Sequence, residues 1–207
     1  MKAEEFLKRY DRKLFAALVL GVVLSAGFAY IYNFNRSCDK VRGEVVRLHI
    51  PANSDSAVDQ RVKILVRDAV IKGTEDIFKN ADSREEALLL AKENIEYIEN
   101  IAKRELLKNG FYYGARVKIL NMYFPTKKYE NRILPAGRYD AIRIELGSGK
   151  GKNWWCVMYP QLCIGTAVKE EKKEVADIDS LNEKPACKLS FAAVELWEKL
   201  KRSLSAS

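Results

Sequence analysis

Histidine is almost absent from this chain of 207 residues: His49 stands alone, and only four cysteines accompany it. A zinc centre built on several histidines is therefore excluded, and a catalytic triad has to use that single imidazole. No internal repeat is present. Charge of one sign is in only slight excess, 36 Lys and Arg against 28 Asp and Glu. That surplus is dispersed and supports contact with any anionic surface, a membrane included; with no motif for them, no nucleic-acid partner, metal or cofactor is expected. With 48% hydrophobic and 31% charged residues, neither global disorder nor a polytopic membrane protein fits.

Leu14 to Tyr32 is an apolar run without a charge, preceded by Lys2, Lys8, Arg9, Arg12 and Lys13. As a helix it is roughly 28 Å long, about the thickness of a bilayer's hydrocarbon core. No polar face recurs along it, so a membrane-targeting segment is expected over residues 1–35. Small residues at Ser25-Ala26-Gly27 and Gly27-Phe28-Ala29 suit a signal peptidase, while the apolar stretch exceeds the usual signal core. Cleaved signal and retained anchor both remain open. Arg36, Lys40, Arg42 and Arg47 follow closely, so the positive-inside bias is weak. It places the N-terminus in the cytoplasm and everything after about residue 35 outside; a cytoplasmic, membrane-tethered adaptor is the opposite orientation.

Residues 44–50 are rich in β-branched side chains and end at Pro51, a strand pattern. Ser56 with Asp59 fits a capping box, followed by Val58, Val62, Leu65, Val66 and Ala69 at helical spacing. A second helix opens at Ser83 with Glu86, buries Leu88, Ala91, Ile95, Ile98 and Ala102, and stops at Asn109-Gly110. The period then changes to two. Val117 and Ile119 oppose Arg116 and Lys118, and Ile142, Ile144 and Leu146 oppose Arg143 and Glu145. GSGKGKN reads as a hairpin loop with glycines at positive φ, and WWCVMYP as a central strand. The fold class is α+β: a mixed or antiparallel sheet covered on one face by two long helices. The expected domain spans 40–165. Residues 166–207 form a charged linker and an amphipathic helix, Leu189 to Leu204, with Leu189, Ala193, Leu196 and Leu200 on one stripe and Phe191 and Trp197 near it.

Few residues offer chemistry. GSGKGK fails the phosphate-loop pattern, because Asn153 follows Gly151-Lys152 and a strand replaces the helix. His49 with Ser54 and Asp55 is the one conceivable nucleophile–base group, and it defines an envelope-hydrolase alternative. Two patches suit recognition instead: the polar loop Asn53, Ser54, Asp55 and Ser56, and the cluster Lys150, Lys152, Asn153, Trp154 and Trp155. One of two adjacent strand tryptophans must face away from the other, and an exposed indole would anchor a partner. Cys156 and Cys163 lie in one apolar strip that a tight loop can close into a disulfide, against buried free thiols as the alternative. Cys38 and Cys187 are assigned no bond.

Arg47-Leu48-His49-Ile50, Ala52-Asn53-Ser54-Asp55-Ser56, Asp59-Gln60, Lys63 and Val66-Arg67-Asp68 resemble the stage II sporulation protein R family. So do Leu134-Pro135-Ala136-Gly137-Arg138-Tyr139, Ala141-Ile142-Arg143-Ile144 and the block from Gly147 to Val157. The resemblance covers residues 44–165. It implies a non-enzymatic signal of endospore formation, exported across the forespore membrane into the intermembrane space. There it would activate a membrane-embedded aspartic-type protease that processes the precursor of the mother-cell sigma factor.

Overall fold

The computed structural model describes residues 2–129, 132–160 and 187–205. A long helix α1 (Lys2–Glu44) leads into strand β1 (Val46–Pro51). Helices α2 (Ala57–Gly73), α3 (Glu75–Lys79), α4 (Arg84–Glu93) and α5 (Ile95–Lys108) follow. Strands β2 (Ala115–Phe124), β3 (Lys127–Tyr129), β4 (Arg132–Leu134), β5 (Gly137–Leu146) and β6 (Asn153–Tyr159) come next, and helix α6 (Cys187–Ser205) is last. The main sheet has the order β2-β5-β1-β6, and β3 pairs with β4 in a separate ribbon. β1 runs parallel to β5 and antiparallel to β6, while β2 and β5 are antiparallel. The architecture is the expected α+β class with a mixed sheet.

Alternation along the strands sorts side chains into two cores. Val46, Leu48 and Ile50 join Val117, Ile142, Ile144 and Leu146 beneath α2 to α5. The other face is also covered, more than a single helical layer would imply. There Phe34, Cys38, Val41 and Val45 from the end of α1 pack on Phe124, Leu134, Tyr139, Ala141 and Val157, with Phe191 and Val194 of α6. Phe34, Cys38 and Val41 recur at i, i+4 and i+7, one face of a helix. Arg42 fastens the junction: its guanidinium donates to Ala136 O from Nε at 3.0 Å and from Nη2 at 2.5 Å. Gly137, at φ 149°, lies beneath that side chain, where a Cβ would stand 2.2 Å from Arg42 Nε.

Several local expectations change. Asp59, Val62, Lys63, Val66 and Val70 form the buried stripe of α2, whereas Val58 and Leu65 are exposed. The second expected helix is two, divided at Asn94, whose side chain donates to Leu90 O at 2.8 Å and competes with the helical ladder. The short α3 and the β3–β4 ribbon had no periodic signal of their own, being too short to show one. Residues 166–186, read as a linker, lie outside the described residues.

The second core contains a cation. Arg47 is wholly buried, donates from Nε to Cys156 O at 3.0 Å and from Nη2 to the Tyr129 hydroxyl at 2.6 Å. Its guanidinium carbon lies 4.4 Å from the ring centre of Phe124, 5.0 Å from that of Tyr139 and 5.4 Å from that of Tyr129. Burial lowers its pKa, opposed by the two tyrosines; ring faces and a carbonyl substitute for water around the charge. Arg47→Ala should destabilise the domain by roughly 3 kcal/mol, and Arg47→Met by clearly less, because methionine refills the volume. Urea unfolding of the two variants measures the difference; equal losses would show that the charge, not the packing, is what matters.

Candidate functional site

The strand order dictates how the two recognition patches relate. β5 and β6 are not neighbours: β1 lies between them, so the loop 147–152 is not the expected hairpin turn but a bridge over the C-terminal end of β1. The chain leaving β1 at Ala52 therefore passes directly beneath it. Gly151 N donates to Ala52 O at 2.8 Å, and Ala52 N to Lys152 O at 3.4 Å. Ser148 N donates to Asn53 Oδ1 at 2.9 Å, Ser148 Oγ to Asn53 O at 2.6 Å, and Lys152 N to Asp55 Oδ1 at 2.7 Å. Glycine is needed where the strands of chain cross. A Cβ on Gly151 would stand 2.2 Å from the backbone oxygen of Ser54, and Gly147 (φ 56°) faces Asn53 Oδ1 at 2.4 Å.

Asp59 holds the assembly from below. Its carboxylate accepts from Asn53 Nδ2 at 3.0 Å, Ser54 Oγ at 2.5 Å and Tyr113 OH at 2.6 Å. Burial pushes the carboxyl upward, but hydrogen bonds from Ser54, Tyr113, Asn53 and Ser56 outweigh it and hold it below the usual range. Ser56 Oγ caps α2 by accepting from Asp59 N at 3.1 Å, as expected. The reciprocal half of the capping box is replaced: Ser56 N is taken by Ser54 Oγ at 3.2 Å, which frees the Asp59 carboxylate for the loop. Lys63, buried on α2, donates to Gln60 Oε1 at 2.7 Å and Lys152 O at 2.9 Å, and Gln60 Nε2 donates to Ser54 O at 2.8 Å. The sequence marks Asp59 as a cap partner, and Lys63 and Ser148 only within the family-like motifs; Tyr113 gave no signal, because only the crossing loops bring it here.

The tryptophans diverge across the sheet as alternation requires, yet neither is an exposed anchor. Trp154 is half-buried under Arg67 of α2, whose guanidinium carbon lies 4.3 Å from the ring centre. Trp155 stacks on His49 with centroids 4.1 Å apart and an 8° interplanar angle. Lys150, Lys152, Asn153 and Asp55 remain exposed around the joined loops.

His49 is 2% exposed, and its Nε2 lies 2.8 Å from Asn153 Oδ1. Ser54 and Asp55 are committed elsewhere, to Asp59 and to Lys152 N, so the hydrolase grouping is not assembled. Cys156 is buried on β6, and Cys163, its expected partner, lies outside the described residues. Cys38 is buried in the second core. Among the described residues no cluster of His, Cys, Asp or Glu is arranged to hold a metal ion.

The family model of stage II sporulation protein R matches residues 42–169. This chain belongs to that family. It is 43% identical over 138 residues to "Stage II sporulation protein R" of Bacillus subtilis (strain 168), covering 64% of this chain and 62% of that protein. The chain thus spans a little under two thirds of the length of the curated relative it matches. No solved structure matches. Both joined loops, Asn53–Ser56 and Gly147–Asn153, fall inside the matched region, and α6 falls outside it.

The His49 imidazole is held neutral at neutral pH. Burial, with Arg143 adding to it against the Asn153 hydrogen bond, lowers the His49 pKa to about 4. Unfolded, the ring takes a proton near pH 6.5; folded, only near the lower value. Between the two the unfolded state binds more protons, so stability falls as pH is lowered through that window and this contribution levels off beneath it. The loss should approach roughly 3 kcal/mol. Urea midpoints measured from neutral to mildly acidic pH for the wild type and His49→Gln check this. The variant should show a shallower pH slope, and parallel slopes would refute the buried neutral imidazole.

Proposed function

We propose that this domain is an exported, non-enzymatic signal of sporulation that activates a membrane-embedded aspartic-type protease, which in turn processes the precursor of the mother-cell sigma factor. The family resemblance supplies the partner. The observation that carries the reading is the joining of Asn53–Ser56 and Gly147–Asn153 into one polar surface, built around a buried carboxylate and glycines that only close backbone crossing requires. A surface organised by that many directional bonds is preorganised, and preorganisation lowers the ordering cost of binding a partner. Asp55, Lys150, Lys152 and Asn153 form its exposed rim, with Asn53, Ser54 and the His49–Trp155 stack behind them. The apolar α1 supports export or anchoring, which delivers the domain to the face of a membrane where such a protease is reached.

Reconstitution of the chain with its candidate protease tests the proposal. Lys150→Glu with Lys152→Glu reverses two exposed charges while leaving the backbone bonds of the bridge in place. Activation should fall on the order of tenfold, since binding energy concentrates in few residues. Unchanged processing of the sigma factor precursor by a folded double variant would remove this surface from the function.

The same reading includes a Cys156–Cys163 disulfide, formed once the domain is outside the cytoplasm. Mass spectrometry of protein prepared without reductant should recover the linked peptides, and two alkylatable thiols at these positions would defeat the pairing.

A further inference from the structure

Helix α6 lies beyond the family match, which ends at residue 169. Two of its apolar side chains are used inside the protein: Phe191 and Val194 are buried, and Phe191 meets Phe34 of α1 edge-on with ring centroids 5.1 Å apart. The others are not. Leu196, Trp197, Leu200 and Leu204 are 61%, 52%, 50% and 80% exposed, and their spacing sets them on one face of the helix. Ion pairs Glu195–Lys199 (3.2 Å) and Glu198–Lys201 (3.1 Å) occupy other positions along it.

The position of that face decides what covers it. A groove of about 570 Å³ separates α6 from α1, with Leu196, Trp197 and Leu200 on one wall and Phe28, Ile31 and Tyr32 on the other. Those three α1 residues close the exposed apolar stretch that is long and apolar enough to cross a membrane. Two residues beyond Tyr32, Phe34 is already in the core, and the helix does not break between them. No linker therefore separates membrane from domain, and α6 lies at the level where α1 emerges from hydrocarbon. Its exposed face is continuous with the lipid-facing surface of α1. Charge agrees: α6 carries four basic and two acidic residues, and the Lys201 ammonium lies 5.5 Å from the Trp197 ring centre, an aromatic–cation pair of the kind found at membrane boundaries.

We propose that α6 is an interfacial helix whose Leu196–Leu204 face lies in the acyl–headgroup boundary of the membrane that α1 enters. The occupant of the exposed face is the lipid bilayer, and α6 gives the domain a second attachment that would persist if α1 were cleaved near Ala26. The inference rests on reading α1 as a membrane helix and is independent of the protease.

The test uses the full chain reconstituted in vesicles of phosphatidylcholine and phosphatidylglycerol with brominated acyl chains, which quench indoles at membrane depth. Three tryptophans are present, so the Trp197 signal is the difference between wild type and Trp197→Phe. That component should be quenched by about half or more, and Leu200→Glu, with unchanged helix content by circular dichroism, should reduce the quenching at least about twofold. Insertion of α1 is read separately, as carbonate-resistant association of the Trp197→Phe chain. Carbonate resistance with no quenching of Trp197 overturns the interfacial helix and keeps the reading of α1; quenching without carbonate resistance does the reverse. Trp197 shielded from acrylamide yet not quenched by the brominated lipid, with chain-to-chain cross-links through Leu204→Cys, would assign the face to a second copy and also overturn the proposal. Full quenching in Leu200→Glu overturns it too.

Discussion

The insertion of β1 between β5 and β6 is the constraint from which the rest follows. A six-residue strand buried on both faces pairs in parallel with one neighbour and antiparallel with the other. Its helix-side residues, Val46, Leu48 and Ile50, anchor the larger core, and its opposite residues, Arg47 and His49, lie among aromatic rings. Because β5 and β6 flank it, the glycine-rich segment joining them has to cross the end of β1. The polar loop that leaves β1 is trapped beneath that crossing, and Asp59 at the start of α2 satisfies the donors brought together there. The candidate surface is thus a consequence of strand order.

Polar burial in this domain is resolved by geometry and seldom by opposite charge. Arg47 finds ring faces, a hydroxyl and a carbonyl, while Asp59 finds an amide and two hydroxyls. Groups of this kind have no good alternative partners, so they favour one arrangement of the loops over slipped ones. A loop surface made rigid in this way suits the recognition role proposed for it.

The end of α1 joins its apolar stretch to the domain without a break in the helix. Its apolar stretch is exposed until Tyr32, and its next turns bury Phe34, Cys38 and Val41 against the sheet. Arg42 locks this packing to the turn before β5. On the proposed reading of α1 as a membrane helix, this packing sets the orientation of the domain above the bilayer.

Periodicity in the sequence was sufficient for the fold class, because period two in β2 and β5 and period 3.6 in the helices reflect which side faces the core. Likewise, the uncharged run from Leu14 to Tyr32 and the long motifs around Asn53 and Gly147 were legible as residues alone, the first through length and the second through resemblance. Strand order was not, since β5 and β6 look like a hairpin until β1 is placed between them. The roles of Asp59, Lys63, Tyr113 and Ser148 were hidden for the same reason: each is distant in sequence from what it contacts, and local patterns hold no information about such pairs. The two tryptophans show the division most clearly. Alternation by itself determined that they point to opposite faces; only the tertiary structure decided that Arg67 covers one and His49 the other, because burial depends on what the rest of the chain brings against a face and not on the face alone.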